Sequence, residues 1–279
     1  MGRTSPNSKY HRLQEILGSL PNLLVAYSGG VDSTFLLAVA TKVLGDRARG
    51  IIGVSPSLPR RELEEALTIA AHWGLSVDTL PTREMDDPNY VQNPANRCYF
   101  CKKELFSEIY QYAQTHGFSV IADGTNADDV SDHRPGMQAA RELQVRSPLK
   151  EAGLTKSEIR QLSREMGLPT WNKPEMACLA SRFPTGTPIT AEGLHQVEKA
   201  EAFLRSLGFG QLRVRHHGEI ARIELPREEL PRILEPDIRG TVEAHLKSLG
   251  YRFVTVDLAG YRRGSVNIAS KPKSPTGSL

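Results

Sequence analysis

The run Leu23-Leu24-Val25-Ala26-Tyr27-Ser28-Gly29-Gly30-Val31-Asp32-Ser33 constrains this chain more than any other stretch. Its first residues are continuously apolar, the pattern of a strand buried in a parallel sheet. The strand stops at Ser28-Gly29-Gly30, where the backbone has to turn sharply. Val31–Leu44 then reads as a helix, with Phe35, Leu36, Val39 and Val43 spaced for a buried face. A strand, a glycine turn and a helix start leave unpaired backbone N–H groups aimed at one place, and such a place binds anions. Gly29 and Gly30 permit close approach to the backbone, and Ser28 and Ser33 add hydroxyl donors. Asp32 makes sense beside an anion mainly through a bridging divalent cation.

The rest of the first two-thirds repeats the alternation. Ala48–Val54 reads as a second strand, 60–73 as a helix, 76–80 as a third strand, 102–115 as a helix and 118–122 as a fourth strand. Strands alternating with helices argue for an open, doubly wound parallel sheet, with ligands at the C-terminal strand ends. The fourth strand runs into Asp123-Gly124-Thr125-Asn126-Ala127-Asp128-Asp129, a polar set around one glycine that suits a nucleotide–metal site or, more plainly, a capped turn. A further strand is expected to end at 146–149, and a helix over 155–166 opens on Thr155 with Glu158 at the capping-box position.

A proline-glycine-threonine stretch at 184–188 is the expected domain boundary. Beyond it come a helix over 190–207, strands at 211–215 and 219–225 joined by His216-His217-Gly218, a helical segment within 227–249 broken by Pro231 and Pro236, and a last strand at 251–257. The expected architecture is therefore an α/β domain over 1–185, a smaller α+β domain over 186–269 for substrate binding or oligomerisation, and a disordered tail over 270–279. Residues 1–9 are expected to be frayed, with the first helix over 10–20.

At 279 residues the chain is long enough for two cores. Its net charge of +3 admits anionic ligands but is light for a nucleic-acid binder. No apolar run approaches the ~20 residues of a membrane span, and no apolar signal core opens the chain, so a soluble cytoplasmic protein is expected.

Three cysteines, Cys98, Cys101 and Cys178, are too few and too odd for a disulfide framework. Cys98-x-x-Cys101 by itself suits a zinc half-site, a redox pair or half of an iron–sulfur site. The later cysteine is able to reach the same face of a doubly wound sheet. Three thiolates suit a cubane with one iron open, a zinc site completed by one of eight histidines without persuasive spacing, or catalytic or inert thiols. Arg213 and Arg215 alternate on one strand face, either as a pair of forks for a phosphate or carboxylate or as a solvated face. Lys102 and Lys103, beside the cysteines, suit an anionic substrate or a solvated helix start.

The loop at 28–33 lacks the spacing and lysine of a Walker A motif. It resembles the SGG-x-DS pyrophosphate loop of the PP-loop ATP pyrophosphatases, which cleave ATP between its α and β phosphates and adenylate a substrate oxygen. At 28–33, 123–129, 132–136, 146–149 and 171–183, and on through 211–225 and 260–267, the chain resembles the LarE family over nearly its full length. Long strings such as Ala177-Cys178-Leu179-Ala180-Ser181-Arg182-Phe183 are far more specific than the pyrophosphate loop alone.

The resemblance implies an ATP-dependent sulfur transferase for nickel-pincer nucleotide biosynthesis and lactate racemase maturation. Its substrate would be pyridinium-3,5-biscarboxylic acid mononucleotide, whose carboxylates are adenylated and converted to thiocarboxylates. ATP falls to Ala26, Ser28, Gly29, Gly30, Asp32, Ser33, Gly124, Asn126 and Asp128, with Mg²⁺ on Asp32 and Asp129 a further metal or ribose candidate. The substrate falls to Arg213, Arg215, Lys102 and Arg182. One branch of the family gives up the sulfur of the cysteine matching Cys178. The other holds a [4Fe-4S] cluster on three cysteines, with a removable sulfide on its open iron, and Cys98, Cys101 and Cys178 match that branch. A separate sulfide donor and a homo-oligomer are expected; nucleic acid and membrane are not. A PP-loop tRNA thiolase is the alternative.

Overall fold

Four parallel strands in the order β3-β2-β1-β4 form the centre of the first unit in this computed structural model, which describes residues 5–131, 135–175 and 177–262. Parts of the expected motifs at 132–136 and 260–267, and the whole tail over 270–279, lie outside the described residues. The strands are β1 (Leu23–Ala26), β2 (Ala48–Val54), β3 (Val77–Pro81) and β4 (Ile121–Ala122). All their ladders are parallel, with Val25 of β1 opposite Gly50 of β2 and Ala122 of β4. The chain moves from β1 to β2 to β3 on one side and returns to place β4 on the other, so the order reverses at β1. Loops leaving β1 and β4 therefore separate above a shared crevice, where open α/β sheets take their ligands.

Helix α1 (Pro6–Gly18) precedes the sheet, and α2 (Val31–Leu44) and α3 (Arg60–His72) make its first crossovers. Residues 1–4 lie outside the described residues, but 6–9 are helical and not frayed as expected: Ser5 caps α1, accepting the Ser8 N–H at 3.3 Å, and Pro6 occupies the first helical position. Helix α2 has the expected ends but is buried on nearly every side, including Phe35, Leu36, Leu37, Val39 and Ala40. It packs against β1 and β2 and is covered by α1 and later helices, so it is a core element whose one exposed residue is Lys42.

After β3 the excursion over 82–96 contains one short helix, α4 (Pro88–Val91), capped by Asp87. Helix α5 (Arg97–His116) then starts before the cysteine pair. The helix expected to begin at 102 therefore takes in the cysteines, which ride on it three residues apart and on one face. Strand β4 is only two residues long, because Gly117 ends α5 in the left-handed conformation and the Phe118 N–H still bonds back to Ala113 O at 2.9 Å. Helices α6 (Pro135–Glu142), α7 (Pro148–Glu151) and α8 (Lys156–Glu165) complete the unit. The strand expected to end at 146–149 reduces to a single bridge between Arg146 and Ala122. The Thr155–Glu158 capping box of α8 forms as expected.

The chain divides into two compact units after Cys178, ahead of the stretch at 184–188. In the second, α9 (Ala191–Ser206) is followed by β5 (Arg213–His217), β6 (Ile220–Glu224), α10 (Leu230–Ile233), α11 (Pro236–Ser248) and β7 (Phe253–Val256). β5 and β6 form an antiparallel hairpin and β7 joins β6 in parallel. His216 and His217 belong to strand β5, not to the turn as expected, which falls at Gly218-Glu219. Ala200, Leu204, Leu212, Val214, Ile223, Val242 and Leu246 form the core of this unit. Among the described residues no helix is long and apolar enough to cross a membrane.

Candidate active site

The loop after β1 closes on itself through its serines. Ser28 Oγ and Ser33 Oγ lie 3.0 Å apart, and the Ser28 N–H donates to Ser33 Oγ at 3.2 Å. Gly29 has φ +67°, and a Cβ there would stand 2.5 Å from the Ala66 Cβ of α3. Glycine is required both by the left-handed backbone and by this close approach. Gly124, in the loop after β4, meets the other side of the same turn, where a Cβ would stand 3.0 Å from Ser33 N and 3.2 Å from Asp32 Cβ. The two motifs, about ninety residues apart by their numbers, thus touch where the sheet order reverses.

Asp32, in the first turn of α2, has one carboxylate oxygen, Oδ2, bonded by the Lys156 ammonium. The other, Oδ1, is buried without a hydrogen-bond partner among the described residues. Burial raises the Asp32 pKa above the usual carboxylate value, although Lys156 pulls it back. The loop after β4 is fastened to the start of α8: Asn126 Oδ1 accepts the Asp128 N–H at 2.9 Å, Asp129 Oδ2 accepts the Asn126 N–H at 3.0 Å, and Asp128 Oδ2 accepts the Lys156 N–H at 2.8 Å. Ala26, which ends β1, lies beneath the loop.

The thiols gather in the same unit. Arg97, at the start of α5, has its guanidinium 4.0 Å from Cys178 Sγ and donates to Asn93 Oδ1 at 2.8 Å. Burial alone would lower the Arg97 pKa, but the sulfurs of Cys178 and Cys98 outweigh it and raise it. Cys98 is exposed, while Cys101 and Cys178 are half-buried. Burial, with Glu84 and Cys178 nearby, pushes the Cys101 thiol up to about 12. Glu84 is itself buried and accepts from Ser55 Oγ, and from Ser57 Oγ at 2.8 Å. The Tyr90 hydroxyl is buried beside Ser57, close enough to Cys178 and Cys101 to feel their charge. Lys102 and Lys103 rest their ammonium groups over the rings of Phe106 and Tyr99, at 5.1 and 5.9 Å.

In the second unit the arginines are not equivalent. Arg182 is fully buried and forks onto Glu201 at 2.8 and 2.9 Å. Arg215 is bonded to Glu224 Oε2 at 3.0 and 2.8 Å and to Ser181 O at 3.1 Å. The expectation of two open forks on one strand face is therefore corrected: Arg215, and Arg182 with it, holds a buried carboxylate. Arg213 is buried too, yet among the described residues no carboxylate pairs with it. It bonds the Leu212 carbonyl at 2.8 Å and lies 5.5 Å from the Tyr261 ring, and burial and Arg182 push its pKa down.

No family model matches the chain. It is 46% identical to an uncharacterized protein of Synechocystis over 93% of this chain and 97% of that one. It is 38% identical to the pyridinium-3,5-bisthiocarboxylic acid mononucleotide synthase of Lactiplantibacillus plantarum, over 93% of this chain and 94% of that one. The chain belongs to the LarE family. A tRNA-specific 2-thiouridylase of Desulforamulus reducens is 26% identical over only 55% of this chain and 53% of its own. This LarE chain is an ATP-dependent sulfur transferase with the α/β fold of the PP-loop superfamily. Two site residues escaped the reading of the sequence, Lys156 and Arg97. Lys156 carried a signal, since a cation at the first position of a helix opposes the helix dipole and is there for another reason.

Proposed function

We propose that this LarE chain adenylates the carboxylates of pyridinium-3,5-biscarboxylic acid mononucleotide and converts them to thiocarboxylates. The observation that carries the reading is near-full-length similarity to a synthase named for the bisthiocarboxylic product, in a chain whose phosphate loop and thiols occupy one unit. The thiouridylase relative matches only about half of this chain, which favours a small carboxylate over tRNA as the substrate.

A carboxylate oxygen attacks the α-phosphorus of ATP, pyrophosphate leaves, and the acyl-adenylate forms. Sulfide then displaces AMP, a far better leaving group than an oxide, and the thiocarboxylate results. The N–H groups of Gly29, Gly30 and the first turn of α2 hold the leaving pyrophosphate, and Ser28 and Ser33 extend that cradle. The unpartnered Oδ1 of Asp32 fits a divalent cation, which supplies charge neutralisation at the phosphates when bound. Asn126, Asp128 and Gly124 shape the wall where the nucleoside lies. Arg213, without a carboxylate of its own among the described residues, takes an anionic group of the substrate.

Cys98, Cys101 and Cys178 fit a [4Fe-4S] cluster. They neighbour one another electrostatically, yet among the described residues no three ligands converge as they would on a single ion. A cubane spreads its thiolates wider than one ion does. Cys101, whose thiol stays protonated by itself, would be ionised by iron. When bound, the cluster supplies a removable sulfide at an iron without a protein ligand. The Arg97 cation stands beside Cys178 and Cys98, where it would balance part of the negative charge of a bound cluster.

The test is anaerobic purification with iron, sulfide and absorbance measured together, on the wild type and on each single Cys→Ala variant. Every variant is expected to lose the iron–sulfur absorbance and sulfur transfer, with pyrophosphate release from ATP retained. An active Cys98→Ala enzyme whose Cys178 comes out of turnover lighter by one H₂S, read by intact mass, would overturn the cluster and establish sacrifice of Cys178 instead.

A further inference from the structure

Lys156 is the first residue of α8, where its charge works against the helix by about 0.3–1 kcal/mol. It is held there from two sides. Asp128 of the loop after β4 accepts its backbone N–H at 2.8 Å, and its ammonium reaches Asp32, 124 residues earlier in the chain. Lys156 is therefore the one described side chain that ties the two nucleotide loops together through a cation.

The charges around Asp32 single it out. Asp129 adds a second negative charge, and Arg160 a second positive one. The Arg160 fork is committed to the carbonyls of Trp171 and Lys173, at 2.8 and 2.9 Å. Lys156, by contrast, ends in an ammonium on a flexible four-carbon stem, about a quarter exposed. It covers only Oδ2 of Asp32, while Oδ1 is buried with no hydrogen-bond partner among the described residues. A carboxylate with one oxygen on a movable cation and the other unpaired is built to exchange partners.

We propose that Lys156 is a second cation of the phosphate site, exchangeable with the divalent ion at Asp32, and that it passes to the phosphate chain of the nucleotide when the ion takes that carboxylate. The divalent ion and the ammonium compete for one group in the absence of nucleotide and act together in its presence. Both charges then face the pyrophosphate that leaves the α-phosphorus. This inference rests on the loop after β1 being the ATP site.

That dual role has a signature no purely structural ion pair produces. Removing Lys156 should tighten binding of the bare ion while weakening the reaction with ATP. The experiment uses the full chain with Mn²⁺ alone as probe, its free form followed by electron paramagnetic resonance, beside pyrophosphate release with ATP and carboxylate substrate. Lys156→Gln is expected to bind Mn²⁺ about fivefold more tightly, the equivalent of one partly exposed ion pair, and to release pyrophosphate about 10²-fold more slowly. Lys156→Arg, which keeps the charge but carries a planar fork in place of three rotatable donors, is expected to keep wild-type Mn²⁺ affinity and recover part of the rate; it also serves if the glutamine variant is unstable. Unchanged or weaker Mn²⁺ binding in Lys156→Gln, or wild-type pyrophosphate release, overturns the proposal. Wild-type protein and Asp32→Asn separate this from failure of the ATP reading. If the wild type does not bind ATP, or Asp32→Asn binds it with Mg²⁺ as well as wild type does, the loop is not the ATP site and the proposal falls with it.

Discussion

Asp32 is placed under opposed demands. Burial favours its neutral form, Lys156 favours its charged form, and one oxygen is left without a partner. Leaving a buried acceptor unpaired costs about 1–3 kcal/mol, a cost that a bound cation would remove. Asp32→Asn keeps the shape and the burial but removes the charge on which both cations depend. We expect it to leave the thermal melting of the protein close to wild type and to slow pyrophosphate release by roughly 10²–10³-fold. Unchanged release would remove the catalytic role of Asp32. Asp32 is legible in the sequence as a candidate site residue, because a lone carboxylate inside a turn suited to an anion is chemically out of place. Its pairing with Lys156 was not legible, because nothing local links a residue at the start of α8 to one at the start of α2.

The element that organises the site is the turn between β1 and α2, and its geometry rests on glycine. Gly29→Ala would force a left-handed φ on alanine and drive its Cβ onto Ala66 of α3. The backbone strain alone amounts to about 1–3 kcal/mol, and relief requires the loop to move away from α3. The expected outcome is a lower melting temperature together with a loss of ATP affinity measured by titration; an alanine variant with wild-type affinity would show that the loop tolerates displacement. Helix α5 is the contrasting element. The sequence places its start only at 102, after the cysteines, because the residues before them are polar and include proline. In the fold they sit on the first turns of a twenty-residue helix, whose first residue, Arg97, bonds Asn93 four residues earlier and lies against the distant Cys178.

Across the molecule, stability is distributed unevenly. The first unit is held by a parallel sheet and a largely buried α2, whereas the smaller second unit encloses the Arg182–Glu201 and Arg215–Glu224 ion pairs. Breaking a buried pair from one side costs about 3–5 kcal/mol, a large share of the ~5–15 kcal/mol that holds a typical domain. Arg182 keeps the pKa of Glu201 below the usual glutamate value in spite of burial. Its stabilisation is therefore present above the ordinary value of ~4.3 and lost as pH falls below it. His216 and His217 are both held low by burial, so the unfolded chain takes up their protons first, and stability present above ~6.5 declines below it. Thermal unfolding of the full chain across pH should show both losses on acidification. Glu201→Gln should lower the melting temperature at neutral pH and flatten the more acidic limb; a variant with the wild-type acid limb would place that loss elsewhere.

Local pattern was enough to establish the strand–turn–helix of the phosphate loop, the full extent of α2 and β2 and the capping box of α8. In each, the deciding interactions lie within a few residues: backbone bonds, an apolar period, or a serine or threonine cap. The functional class was legible for the same reason, because an anion-binding turn and its misplaced aspartate are contiguous in the chain. What the tertiary structure alone decided is how charges are paired. Two of three candidate substrate arginines turn out to be committed to Glu201 and Glu224, Arg213 is set apart from them, and Lys156 is brought to Asp32. Charge pairing acts through space between residues that only the folded sheet order and helix packing bring together, and no period or motif in a single sequence encodes it.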